Sequence, residues 1–121
     1  MERGAMIVAG FGMRAQAPWT SFAELADGVA ATHLAVLAEK AALPGFVEFA
    51  ARTGLPVVEV GAVAGIDTPT RAARIEERFG TGSVCEAVAL AASGGGRLIA
   101  ARRVSQDGMV TMAVAEGKAG T

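Results

Sequence analysis

Two glycine-rich segments contain the residues of this sequence best suited to bind a ligand. In the first, Gly10 and Gly12 follow an apolar run and lead to Arg14, and in the second, Gly82 and Ser83 lead into a helix-like stretch. Glycine has no Cβ, so its backbone N–H groups can approach an anionic or polar ligand closely. We therefore predict that both segments line one binding site at one edge of the fold.

The first segment allows three interpretations. Residues 10–15 match the Gly-x-Gly-x-x-Ala fingerprint of dinucleotide-binding loops. That fingerprint requires a helix to open at once over the pyrophosphate, whereas Pro18 and Ser21 place the next helix later. The other two interpretations are a site for a different anionic ligand and a tight turn at a strand end with Arg14 in solvent.

The second segment is also open to two interpretations. Ser83 and Glu86 have the Ser-x-x-Glu spacing of a capping box, in which each side chain bonds a free backbone N–H of the first helical turn. The same helix N-terminus could bind an anion, with Glu86 as a functional acid. For Cys85, a small buried side chain is favoured over a thiol of lowered pKa.

Composition excludes several classes of protein. The chain has 121 residues, which suits a single domain spanning 1–121, and its net charge of -1, with no basic run among aromatics, argues against nucleic-acid binding. The N-terminal apolar run is far shorter than the ~20 residues of a membrane span. One cysteine, Cys85, and one histidine, His33, offer neither a disulfide nor a metal cluster. We expect a cytoplasmic protein that needs no metal or cofactor and does not bind a membrane.

Strand and helix signals alternate along the chain. A capping box at Ser21 and Glu24 predicts a first helix that continues to about Ala30, while Pro44 and Gly54 delimit a second helix. Further helices are predicted over residues 69–79 and 83–92, and strands over residues 6–9, 33–37, 55–60, 98–104 and 109–115. This order predicts a three-layer α/β/α sandwich with a mixed, mostly parallel sheet and a C-terminal hairpin turning at residues 106–108. Ligands of such sheets bind outside the carboxyl ends of the strands.

Read in order, these motifs resemble a known family. Gly-Phe-Gly-Met-Arg at 10–14 is followed by Leu-Ala-Val-Leu-Ala-Glu-Lys-Ala at 34–41 and Thr-Pro-Thr at 68–70. Gly-Ser-Val-Cys-Glu-Ala-Val-Ala-Leu at 82–90 and Thr-Met-Ala-Val-Ala at 111–115 complete the series. The series is similar to the CobE and CbiG C-terminal domain family of cobalamin biosynthesis.

This resemblance implies a role in making the corrin ring. The favoured expectation is a CobE-type protein that binds a precorrin intermediate as a carrier or accessory factor, with other enzymes of the pathway as further partners. The alternatives are a hydrolase or lyase acting on a precorrin lactone, as in CbiG-type proteins, and a small dinucleotide-binding module. CbiG-type proteins carry a further N-terminal region, which we do not expect here, and often an acidic residue near the position of Leu43. Both differences weigh against the hydrolytic role.

The family match also implies a set of ligand-facing residues. These are Gly10, Gly12, Arg14, Lys40, Ser83 and Glu86. Corrin intermediates carry acetate and propionate carboxylates around a broad apolar ring, so a site needs N–H donors, cations and an apolar wall. We therefore add Gly82 as a backbone donor and Phe11 as part of the wall.

Overall fold

A five-stranded sheet carries the helices of the protein. A computed structural model describes residues 6–71, 73, 75 and 81–117. The elements are β1 (Met6–Met13), α1 (Trp19–Ala26), β2 (His33–Leu37), α2 (Pro44–Thr53), β3 (Val57–Val60), α3 (Val84–Ala92), β4 (Arg97–Val104) and β5 (Val110–Gly117). The helix predicted over residues 69–79 lies largely outside the described residues, and α3 is the predicted fourth helix. In the described part of the chain, no helix is long and apolar enough to cross a membrane.

The sheet is mixed, as predicted. Its strands follow the order β3-β2-β1-β5-β4. β2 is parallel to both β1 and β3, as the helical crossovers between these strands require. β5 runs antiparallel to β1 from Met6 opposite Gly117 to Met13 opposite Val110, and β4 closes the C-terminal hairpin on the outer side of β5. The parallel half and the antiparallel half therefore meet at β1.

One face of the sheet is covered by α1 and α2 through an aromatic cluster. The ring of Phe11 of β1 contacts those of Phe22 of α1 and Phe49 of α2, with centroid distances of 5.5 and 5.4 Å, and the latter two rings stack on each other at 5.5 Å. Phe46 completes the cluster, and all four side chains are buried. Tilted and edge-to-face rings at these distances stabilise the core beyond the burial of their area.

The opposite face is covered by α3. Successive strand residues point to opposite faces of a sheet, so Val8 and Ala35 pack with Val88 of α3, whereas Ala9 and Phe11 belong to the aromatic side. Helices on both faces confirm the predicted three-layer α/β/α arrangement. β1 is buried on both sides because it is the middle strand of this sandwich.

β1 is longer than predicted. We expected the strand to end at Ala9 and a loop to begin at Gly10, but the strand continues to Met13 because β5 pairs with it along its whole length. Gly10 lies beneath α3, where an added Cβ would be 2.5 Å from the carbonyl oxygen of Cys85 and 2.7 Å from the nitrogen of Ala89. A glycine inside a strand often marks such a close approach of another backbone. Gly10 thus allows α3 to pack directly on the sheet.

The helix limits were predicted correctly for α2 and wrongly for α1. Gly54 ends α2 in the left-handed conformation with φ of 70°, as predicted. α1 begins at Trp19, directly after Pro18, and ends at Ala26, with no side chain capping its N-terminus. The predicted capping box of Ser21 and Glu24 is therefore wrong, since both residues lie inside the helix and bond to another part of the chain.

Candidate functional site

The predicted cations lie at the carboxyl edge of the parallel strands. Arg14 follows β1 directly, and Lys40 ends a short 3₁₀ turn, Ala38–Lys40, directly after β2. β1 and β2 are neighbouring parallel strands, so their ends meet at one edge. The Arg14 side chain is exposed and makes no hydrogen bond or ion pair with the described part of the chain. This is the edge at which open α/β sheets bind ligands.

The N-terminus of α3 lies at the same edge. An ideal Cβ on Gly12 would be 3.8 Å from the Cβ of Val84 and 3.9 Å from the nitrogen of Cys85. The backbone at Gly12 therefore contacts the first turn of α3. The predicted juxtaposition of the two glycine-rich segments is confirmed, while their joint use by one ligand stays a prediction.

Phe11 and Gly10 were predicted to face the ligand, but both lie inside the protein. The Phe11 side chain is 0% exposed and lies within the aromatic cluster, so it has no surface for a ligand. Gly10 is covered by α3. Our prediction gave both residues a place in a loop, and the longer β1 puts them inside the sheet instead. Gly12 and Arg14 are the members of this segment that reach the edge.

Gly82 brings a further segment against α3. A Cβ at this position would lie 2.6 Å from the carbonyl oxygen of Thr70 and 2.8 Å from the Cα of Arg71. Within this segment, the Thr68 hydroxyl donates to the Thr70 carbonyl at 2.8 Å. Residues 68–71 therefore pack on the residue just before Ser83, and Gly82 is required there by the close approach of the backbone.

The second predicted capping box is also wrong. The Ser83 hydroxyl is buried, makes no cap bond, and has the Cys85 sulfur as its neighbour at 3.5 Å. Glu86 does not reach back to the Ser83 N–H. Its Oε1 accepts the backbone N–H of Thr70 at 3.0 Å, and its Oε2 accepts the Thr70 hydroxyl at 2.8 Å.

A third donor to Glu86 comes from β4. The backbone N–H of Arg102 donates to Oε2 at 2.8 Å. The register of β4 against β5 shifts between Ala100 and Arg103, so a bulged residue there lacks its normal ladder partner. Glu86, which is 0% exposed, thus joins α3 both to residues 68–71 and to the bulge of β4.

Cys85 is unsuited to nucleophilic chemistry. Burial raises the pKa of the Cys85 thiol, and hydrogen bonds with Ser83 and Thr111 oppose that shift only in part. Its side chain is 1% exposed. The buried thiol agrees with the favoured sequence interpretation of a small core side chain. Within the described residues, no group of histidine, cysteine and acidic side chains could hold a metal ion.

Sequence reasoning did not include Thr70 and Arg71 in the site. In the sequence, Thr68, Pro69 and Thr70 indicate only a helix start and a part of the family resemblance. In the structure, residues 68–71 pack on Gly82, and Thr70 donates hydrogen bonds to Glu86. The arrangement at the carboxyl edge combines exposed or half-buried cations with a helix N-terminus, which together suit an anionic ligand.

The comparisons with known proteins agree with this fold. The family described as Cobalamin synthesis G C-terminus matches residues 7–115. The structure is similar to that of CobE, a protein from the cobalamin (vitamin B12) biosynthetic pathway, with TM-score 0.75 and 24% identity over 96% of this chain and 93% of that one. At that identity, the likeness is one of fold.

A second solved structure is more similar in sequence. The cobalamin biosynthesis protein chiG from Agrobacterium tumefaciens str. C58 is 32% identical, with TM-score 0.66, over 95% of this chain and 100% of that one. No curated protein matches the chain.

Proposed function

This chain belongs to the cobalamin synthesis G C-terminus family, and on that basis we propose that it binds a precorrin intermediate as a carrier or accessory factor. The observation that carries the proposal is the contact between the Gly12 backbone and the first turn of α3, at the edge that also holds Arg14 and Lys40. Corrin intermediates present several carboxylates at the rim of an apolar ring. Free N–H groups of a helix N-terminus and nearby cations are suitable partners for such carboxylates.

Binding is favoured over hydrolysis because the possible acid, Glu86, and the possible nucleophile, Cys85, are both buried. Glu86 is fully buried, and both of its oxygens accept hydrogen bonds within the protein. The Cys85 thiol is buried and has a raised pKa, which disfavours the thiolate. Neither group is placed to attack a lactone or to transfer a proton to one. Hydrolysis of a precorrin lactone is the alternative that the binding experiment below tests.

The structure lacks the helix start that a dinucleotide site at residues 10–15 would need. Its fingerprint needs a helix that opens directly after the glycines, but residues 10–13 belong to β1 and α1 begins only at Trp19. The pyrophosphate of a dinucleotide would therefore find no helix N-terminus at residues 14–15.

Binding can be measured with late precorrins and with cobyrinic acid, a stable corrin that carries free acetate and propionate groups. We expect absorbance titration to show binding of cobyrinic acid and much weaker binding of its neutral methyl ester. Mass spectrometry of each precorrin after incubation separates the two activities, because a carrier returns the precorrin unchanged and a lyase or hydrolase consumes it. Equal binding of acid and ester, or no binding of any corrinoid, would contradict the proposal.

Arg14→Ala tests the carboxylate contact. A charge-assisted hydrogen bond contributes about 1.5–3 kcal/mol, so we expect the Kd for cobyrinic acid to rise roughly tenfold to a hundredfold. The matched control is Arg97→Ala, because Arg97 is an exposed arginine at the opposite end of the sheet, paired with Glu116. The control should bind like wild type, and both variants should keep their melting temperature.

A further inference from the structure

We propose that Arg71 is a further ligand-binding cation of this site and that Glu86 is the positioning residue that holds it there. The inference rests on the proposed function, since it concerns the same carboxylate-rich ligand. It gives the buried carboxylate of Glu86 a role in the site in addition to its role in the fold. It also adds residues 68–71 to an edge so far formed by Arg14, Lys40 and α3.

Glu86 fixes the residue directly before Arg71. Thr70 uses two different groups to reach the carboxylate, its backbone N–H at 3.0 Å to Oε1 and its hydroxyl at 2.8 Å to Oε2. The carboxylate itself is held by the Arg102 N–H and by its place in α3, where it is 0% exposed. A residue bonded at both backbone and side chain has little freedom, and this restricts its neighbour Arg71 as well.

Gly82 sets the position of Arg71 relative to α3. The Arg71 Cα would lie only 2.8 Å from a Cβ at position 82, so the two backbones are in direct contact. Gly82 directly precedes Ser83, which opens α3. Arg71 is exposed, and its backbone lies beside the end of α3 that favours anions.

The chemistry of arginine suits this place. The guanidinium is always charged and offers five N–H donors in a planar fork that matches a carboxylate. Arg71 already takes part in an interaction within the protein, and its several donors can serve more than one acceptor. A ring with carboxylates around its rim would be oriented by cations at separate points, with Arg14 after β1 and Arg71 beside α3.

The first test is the affinity of Arg71→Ala for cobyrinic acid, with Arg97→Ala as control. We expect Kd to rise by roughly tenfold or more for Arg71→Ala, with at most the small drop in melting temperature that the loss of an exposed residue's interaction causes. Arg71→Lys should recover only part of the affinity, because an ammonium cannot form the bidentate contact. Wild-type affinity in Arg71→Ala would overturn this inference and leave the proposed function standing, whereas a wild-type protein that binds no corrinoid would overturn both.

The second test asks whether Glu86 acts through Arg71. Two variants disturb the contact between Glu86 and Thr70. Glu86→Gln changes the carboxylate itself, and Thr70→Val removes one hydrogen bond to Glu86 with little change of shape, so it replaces Glu86→Gln in the test if that variant fails to fold. We expect each of these variants to weaken cobyrinic acid binding alone, but to cause no further loss when combined with Arg71→Ala. If the role of Glu86 is purely structural, its substitution will lower the melting temperature with no change in Kd. If the losses of affinity in the single variants add up in the double variant, Glu86 does not position Arg71.

Discussion

Two Ser-x-x-Glu pairs with the same spacing have different roles in this protein. Ser21 and Glu24 lie in α1, where the Ser21 hydroxyl donates to Asp107 and Glu24 accepts the backbone N–H of Gln106 at 2.9 Å. Ser83 and Glu86 lie at the start of α3, with Glu86 bound to Thr70 and Arg102. Neither pair forms a capping box, and each instead joins its helix to a distant segment.

The two pairs differ in burial and in the number of hydrogen bonds. Glu24 is exposed and has one backbone donor, so water can replace that donor at little cost. Glu86 is fully buried and accepts three hydrogen bonds, two from Thr70 and one from Arg102, so its loss leaves several donors without their acceptor. The same tetrapeptide spacing thus yields an exposed contact with one donor in one place and a buried contact with three donors in the other.

The largest expected effect is that of Glu86→Gln. A glutamine has one carbonyl oxygen, so its NH₂ group must face at least one of the backbone N–H donors of Thr70 and Arg102. A buried donor without an acceptor costs about 1–3 kcal/mol, and we expect a loss of about 2–3 kcal/mol in the free energy of unfolding. Urea denaturation measures this loss, and an unchanged midpoint would show that the carboxylate is not needed.

An intermediate effect is expected for Ser21→Ala, and it depends on pH. Hydrogen bonds from Ser105, from Ser21 and from the Met109 N–H lower the pKa of Asp107 in the folded protein. A lowered folded-state pKa contributes stability above the unfolded pKa of about 3.9, and that stability is lost as pH falls through the folded value. Ser21→Ala removes one of these bonds, so it should lower the melting temperature at neutral pH.

In strong acid, where Asp107 is protonated in both folded and unfolded protein, the melting temperatures of wild type and Ser21→Ala should converge. Asp107→Asn is the matched control, because it removes the titrating group and should flatten this pH dependence. A difference between Ser21→Ala and wild type that is constant across the acid range would contradict the account.

The smallest effect is expected for Glu24→Gln, which is the direct counterpart of Glu86→Gln. The amide oxygen of glutamine can accept the single Gln106 N–H, and the exposed NH₂ group remains in water. The free energy of unfolding should stay within about 0.5 kcal/mol of wild type. If both substitutions cost the same in urea denaturation, burial does not separate the two pairs.

Local sequence was sufficient to predict much of the fold. The alternation of strands and helices, the hairpin around Gly108 and the limits of α2 were all predicted, because each depends on residues close together in the chain. Pro44 and Gly54 act through their own backbone angles. The glycine-rich segment with Arg14 was expected after the first strand and lies at the end of that strand, although the strand itself is longer than predicted.

The roles of the two acidic pairs and of Gly10 were decided by tertiary structure. Asp107 lies 86 positions from Ser21, and the two residues that donate to Glu86, Thr70 and Arg102, each lie 16 positions from it, one on either side in the chain. A capping box and a long-range contact use the same side-chain atoms, so spacing alone cannot distinguish them. Gly10 has the same ambiguity, because a missing Cβ serves a ligand and a packed helix equally well. Only the path of α3 across β1 shows which of the two is present.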